Sequence, residues 1–283
     1  MTPPLAIICL DSMDERFMRR WMASGDMPCI KAFLASASFA QMEGPELRAE
    51  ASAWASMWTG QPPEKHGYYY FQQLVPGTYK IEPISGRSLN VPPFWSLVRG
   101  TGKISLIADA PEVALVPDLN GIQLLDYAVH SPWKQPISSP SDTLESVRAR
   151  FGTDWGIAEN PDASTAEDLR FFQRFQQRLA MKSKLYEDLL ARGPYDFMMF
   201  GFGEIHTAAH QFWKYLQEPG SSSSPVPHPV LSDALRTLPV NFDFSRLSQS
   251  LSLQRKAGVG ARCAPRWPGE WRTAASCSVP TAA

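Results

Sequence analysis

The sequence predicts an α/β fold, a mostly parallel sheet flanked by helices. Two observations carry this. Apolar runs of strand length recur at 5–10 (LAIICL), 104–109 (ISLIAD) and 196–202 (DFMMFGF). Between them lie segments of helical spacing that end at Gly or Pro. Helices alternating with apolar strands argue for a parallel sheet covered on both faces.

The elements follow in order. LAIICL, with two isoleucines and no polar residue, reads as a strand buried on both faces, ended by Asp11 and Ser12. Residues 14–28 (DERFMRRWMASGDMP) read as a helix stopped near Gly25, and 29–39 as a second, short one. Residues 52–60 (SAWASMWTG) are helix-compatible and closed by Gly60, with a loop QPPEKHG after them. Residues 68–83 form a hairpin or a loop with edge strands, and the aromatic run 68–71 reads as core or pocket wall. Residues 92–109 read as helix, Gly turn and strand. Residues 131–164, rich in Pro, Ser and Asp, read as a surface excursion or cap. The strongest helix is 164–193, with Thr165 and Asp168 as a capping box and Gly193–Pro194 as its stop. The strand DFMMFGF follows at once.

Composition excludes several classes of function. The chain has 283 residues, enough for one large α/β domain or two ordinary ones, and 44% are hydrophobic, which excludes wholesale disorder. A net charge of -1 gives no basic footprint for nucleic acid and no polybasic membrane patch. No apolar run approaches the ~20 residues of a membrane span, and the N-terminal segment lacks a basic stretch of the signal-peptide kind. Cys9, Cys29, Cys263 and Cys277 show no metal spacing and no dense disulfide framework, so reduced thiols in the cytoplasm are the expectation. Residues 238–283 carry six Lys or Arg against two acids, leaving 21 basic and 26 acidic residues before them. This tail clusters Pro, Gly, Arg and Trp without periodicity and is expected to be poorly ordered.

Candidate chemistry gathers at strand ends. Asp11 follows the first strand, where open α/β sheets bind ligands. It is either a metal ligand or, with Ser12, a helix cap. His206 and His210 follow the last strand at i, i+4, on one face of a helical turn, and suit two nitrogen ligands to one zinc ion. Glu204 is a ligand, a support for one, or a solvated acid. His66 either faces this site or sits on an exposed turn.

With these pieces in order, the sequence resembles the type I phosphodiesterase/nucleotide pyrophosphatase family of the alkaline phosphatase superfamily. The resemblance rests on the strand ending in Asp11, SGDMPCIKAFLASAS, the element W-x-S-x-x-T-G-x-x-P-x-x-H-G from Trp54 to Gly67, and FGEIHTAAHQFW. It covers about residues 5–237. It implies an alkaline-phosphatase-like core and two divalent ions, usually zinc, that bind a phosphoryl group and activate a Thr or Ser nucleophile. Asp11 matches the family's first metal-binding aspartate, and His210 the histidine of its D-x-x-x-H pair. His206 stands where that pair has Asp. Glu50 stands at the nucleophile's position, four residues before Trp54, and Ser52 is the nearest hydroxyl. Either Ser52 attacks, or Glu50 is ligand or base, or the site is altered. The family's later S-D-H-G element and final histidine are absent, so the core is expected to be incomplete after about Thr237.

The function implied is metal-dependent hydrolysis of a small-molecule phosphoester or phosphodiester, with at most one zinc bound. No nucleic-acid polymer or membrane is expected as partner. The alternatives are an inactive or binding-only remnant, or a relative acting on phosphonates, sulfate esters or phosphosugars.

Overall fold

The strand Phe197–Phe202 organises the sheet, and every one of its residues is buried. In this computed structural model the described residues are 4–42, 50–89, 91–129, 134–153, 155–216, 228 and 230–235. The strands are β1 (Leu5–Leu10), β2 (Gln72–Leu74), β3 (Ile81–Pro83), β4 (Ser105–Ala108), β5 (Gly121–Leu125), β6 (Ile137–Ser139) and β7 (Phe197–Phe202). The α-helices are α1 (Glu15–Ser24), α2 (Pro28–Leu34), α3 (Glu50–Thr59), α4 (Pro63–His66), α5 (Ser141–Phe151), α6 (Thr165–Ala191) and α7 (Glu204–Phe212).

The main sheet has the order β1-β7-β4-β5-β6. β1, β7, β4 and β5 run parallel, and β6 closes one edge antiparallel. Side chains alternate between its faces, as the period of two requires. Met198, Phe200 and Phe202 point into a core built with α1, α6 and α7. Phe197 and Met199 point into a second core with Trp58 of α3 and Trp95. The expected sheet covered on both faces is therefore present.

Local chemistry explains the boundaries. Asp14 caps α1 by accepting from the N–H groups of Arg16 and Phe17, and Gly25 ends it at φ 87°. Pro28 opens α2, where its missing N–H costs nothing. The capping box of α6 is Ser164 with Glu167, one residue before the expected Thr165 and Asp168. Asp168 is instead buried, holding Tyr215 and Gln211.

Other expectations need correction. β1 is an edge strand, and all its residues but Cys9 are half-buried, because no described strand pairs with its outer edge. The segment 92–98 forms a 3-10 turn, Phe94–Val98, and the loop after Gly60 contains the single turn α4. Of the aromatic run, Tyr68 is buried whereas Tyr69, Tyr70 and Phe71 are exposed on the approach to the small hairpin β2–β3. Within 131–164, β6 extends the sheet and Val147 of α5 enters the core, so patterning too short to show in composition builds part of that segment into the domain. The tail expected at 238–283 lies outside the described residues.

Gly201 is one of two tight points in the sheet, with Gly121 of β5. A Cβ on Gly201 would lie 2.0 Å from the Asp109 carbonyl oxygen, a backbone atom that cannot swing aside. We expect Gly201→Ala to cost roughly 1–3 kcal/mol through overpacking. A urea midpoint unchanged from wild type would show that the two strands separate freely here.

Candidate active site

The carboxyl edge of the parallel strands gathers acids by one repeated device. Ser12 after β1, Asp109 after β4 and Asp126 after β5 all have positive φ, at 59°, 50° and 59°. Such left-handed residues turn the chain sharply out of the sheet and are uncommon outside glycine, Asn and Asp. Asp11, Asp109, Glu112, Asp126, Lys134 and Trp54 line one small cleft at this edge, floored by Cys9 and Gly201. Its enclosed part is about 30 Å³, room for an ion or one water. Anything larger than this lies in the open mouth.

Asp11 and His206 meet beside this cleft. His206 Nδ1 lies 3.5 Å from Asp11 Oδ2 and 2.9 Å from Ser12 Oγ. β1 and β7 are paired in register, so Asp11 and the start of α7 leave the sheet together, with Asp11 N–H donating to the Phe202 carbonyl. His206 and His210 stack one turn apart with ring centroids 4.7 Å apart, His206 buried and His210 exposed. The structure thus sets His206 against Asp11 on one side and His210 on the other. Ser12 was missed as a contact of His206. Both Ser12 and Asp11 face the same nitrogen, so they do not form a relay across the ring.

The remaining candidates are placed less simply. Ser52 has 0% exposure on α3, whereas Trp54 of the same helix reaches the cleft. Glu50 is the first residue of that helix. His66 is neither a site residue nor an exposed one. It is buried, accepts the Tyr68 N–H at Nδ1 and meets Ser56 Oγ through Nε2 at 2.9 Å, fixing the turn after α4. His228 accepts from the N–H groups of Val230 and Leu231, a turn role.

Glu204 does not face the cleft as a ligand. It is buried against two cations of α6, with Arg178 Nε at 3.1 Å and Lys182 Nζ at 3.3 Å from Oε1. Burial pushes its carboxyl up, but Lys182 and Arg178 outweigh this and hold it below the usual carboxylate range. Lys182 also lies 3.3 Å from Asp109 Oδ2 and donates to the Ala128 carbonyl. Asp109 in turn accepts the N–H groups of Tyr127 and Ala128. Its carboxylate is thus engaged from below.

The opposite wall carries two ion pairs, Arg87–Asp126 and Lys134–Glu112. Burial raises Asp126 despite both cations, while Glu112, equally desolvated, is brought below its usual range by Lys134 and the Gly86 N–H. Cys9 is pushed up to about 12 by burial and by Asp11, which favours the neutral thiol. Asp109 and Asp126 escaped the sequence reading, yet each follows an apolar run directly, the signal that marked Asp11.

Among the described residues no three His, Cys, Asp or Glu side chains form a metal-binding group. Asp11 and His206 alone have matching geometry. A tetrahedral ion with bonds of about 2.0–2.1 Å holds its ligands about 3.3 Å apart, near the 3.5 Å observed. The donor chemistry fits part of the shell of one ion. The described residues do not fit a second.

The model of the type I phosphodiesterase/nucleotide pyrophosphatase family matches residues 5–238, most of the chain and all of the site. The chain belongs to that family. Among curated proteins no sequence match was found. Phosphonoacetate hydrolase from Sinorhizobium meliloti 1021 is similar in fold at 14% identity, with TM-scores of 0.54 for its phosphonoformate complex and 0.55 for its phosphonoacetate complex. Each match covers 88% of this chain but only 54% of the hydrolase, so the chain spans about half the length of these solved structures. The expected mostly parallel α/β core is thereby found, in a fold like that of this hydrolase. No helix among the described residues of this family member is long and apolar enough to cross a membrane.

Proposed function

We propose that the chain is a hydrolase of small phosphoesters or phosphodiesters, with its reaction centre where Asp11 and His206 meet. The observation that carries this is the 3.5 Å approach of their donor atoms at the carboxyl edge of paired strands, within a family whose chemistry is phosphoryl transfer. Asp11 and His206 would hold one divalent ion, zinc by the nature of the donors, with His210 adjacent. Such an ion supplies charge stabilisation to a phosphoryl group. Lys134 lines the cleft and offers a positive charge to the substrate's phosphoryl oxygens. Gly203, the residue before α7, lines it too, and places that helix's N-terminal N–H groups at the same edge.

The nucleophile is drawn from three residues. Glu50 occupies the family position, as base or ligand. Ser52 is the nearest hydroxyl but is enclosed, and phosphorus reaches it only if α3 shifts. Ser12 is exposed, at the cleft edge and bonded to His206. With bis-p-nitrophenyl phosphate as substrate, the nucleophile's alanine variant should lose turnover while zinc content stays at the wild-type level. Glu50→Gln should be the most damaging of the three changes if Glu50 is the base. Wild-type rates in Ser12→Ala, Ser52→Ala and Glu50→Gln alike would remove all three from the chemistry.

A further inference from the structure

A second cavity lies further along α3 from the cleft that Trp54 lines. It measures about 340 Å³, within the roughly 300–1,000 Å³ of small-molecule sites. Trp54 lines the cleft, whereas Trp58, one turn further along α3 and stacked on Trp54 at 5.4 Å, lines the cavity with Ala55. Glu112 touches both, but its carboxylate is held by Lys134 and by the Gly86 N–H.

The cavity's lining is apolar over most of its surface, supplied by Trp58, Leu89, Val113, Leu115 and Val116 with three prolines. Its polar side chains are Thr59, whose hydroxyl donates to the Ala55 carbonyl, Glu112, Ser96 and Arg99. Ser96 and Arg99 both line it and are joined by the Arg99 Nε–H donating to the Ser96 carbonyl at 3.1 Å. Arg99 is exposed, and among the described residues its terminal guanidinium nitrogens have no carboxylate partner. Ser96 is buried at 7% exposure. An apolar chamber lined by one cation that faces no carboxylate, its one acid being already held by Lys134, is complementary to a molecule with an apolar body and one anionic head.

We propose that this cavity binds a small apolar monocarboxylate, its hydrocarbon against Trp58 and Val116 and its carboxylate on Arg99 and Ser96. The guanidinium fork suits a carboxylate bidentately, and the apolar wall suits an alkyl chain or a single ring. The site is separate from the proposed reaction centre, and its test does not depend on turnover.

The probe is octanoate, titrated calorimetrically into the full chain, with 1-octanol as the uncharged control. Octanoate is expected to bind once per chain with a Kd below about 1 mM, and 1-octanol at least about tenfold more weakly. Arg99→Gln should abolish that preference and leave octanol unchanged. Ala114→Phe, which places a ring in the lining, should remove binding of both. A second measurement does not depend on that variant folding. The Trp58 indole N–H resonance should shift on addition of octanoate to wild type, while that of Trp21, in the core on the far sheet face, should not. Absence of saturable octanoate binding up to about 10 mM, equal affinity for acid and alcohol, or an unmoved Trp58 resonance at saturation would each overturn the proposal.

Discussion

Asp11→Asn and His206→Ala are expected to lower phosphodiester hydrolysis by roughly 10²–10³ or more and to remove the bound zinc. Each change deletes one of the two donors that meet at 3.5 Å, and removal of a single well-placed electrostatic group costs about this much in other hydrolases. His210→Ala should cost less, because His210 is exposed and its contact is with the His206 ring. Wild-type chain is expected to carry at most one zinc, since no described set of three donors exists. The measurement is zinc per chain by mass spectrometry, with turnover of bis-p-nitrophenyl phosphate on the same sample. Full activity and full zinc in Asp11→Asn would end the assignment of this edge as the reaction centre. Loss of both with a native circular dichroism spectrum would support it.

Lys182→Met is expected to be the most destabilising single change in the core, by about 3–5 kcal/mol. The Lys182 ammonium has 0% side-chain exposure and lies 3.3 Å from each of two buried carboxylates, Asp109 and Glu204. Methionine matches its volume, so the loss is electrostatic and not a cavity. Arg178 would remain on Glu204, but Asp109 would be left without a cation, held only by backbone N–H groups and the Tyr186 side chain. Against a total stability of roughly 5–15 kcal/mol, the variant sits near the edge of folding. Adding Asp109→Asn to Lys182→Met should restore part of the loss, because the uncompensated charge goes with it. Urea midpoints of the single and double variants measure this coupling. A single variant as stable as wild type would mean that the carboxylates take up protons without cost. The sign with pH is also fixed. Glu204 is depressed in the folded state, so its contribution is present above the unfolded carboxylate pKa and is lost as pH falls through the folded one.

The site was partly legible before the fold was known. An acid directly after an apolar run lies at the carboxyl edge of a strand, and two histidines at i, i+4 share a helix face. Both are local consequences of periodicity, and Asp11, His206 and His210 were found by them. The same rule applied to 104–109 and 121–126 would have found Asp109 and Asp126. Ser12 could not be found this way, because its contact with His206 joins residues 194 apart and exists only where β1 pairs with β7.

The sequence by itself determined the longer elements, the α/β class and the family, since apolar periodicity, caps and the W-x-S-x-x-T-G-x-x-P-x-x-H-G element are written in short windows. Only the tertiary structure decided the strand order, which made β1 an edge strand that its apolar run alone reads as central. It decided that Glu204 serves Lys182 and Arg178, because their approach depends on how α6 packs under α7. It decided that His66 is an internal turn residue and that Ser52 is enclosed. Burial and partnership are sums over distant segments, and no local window contains them.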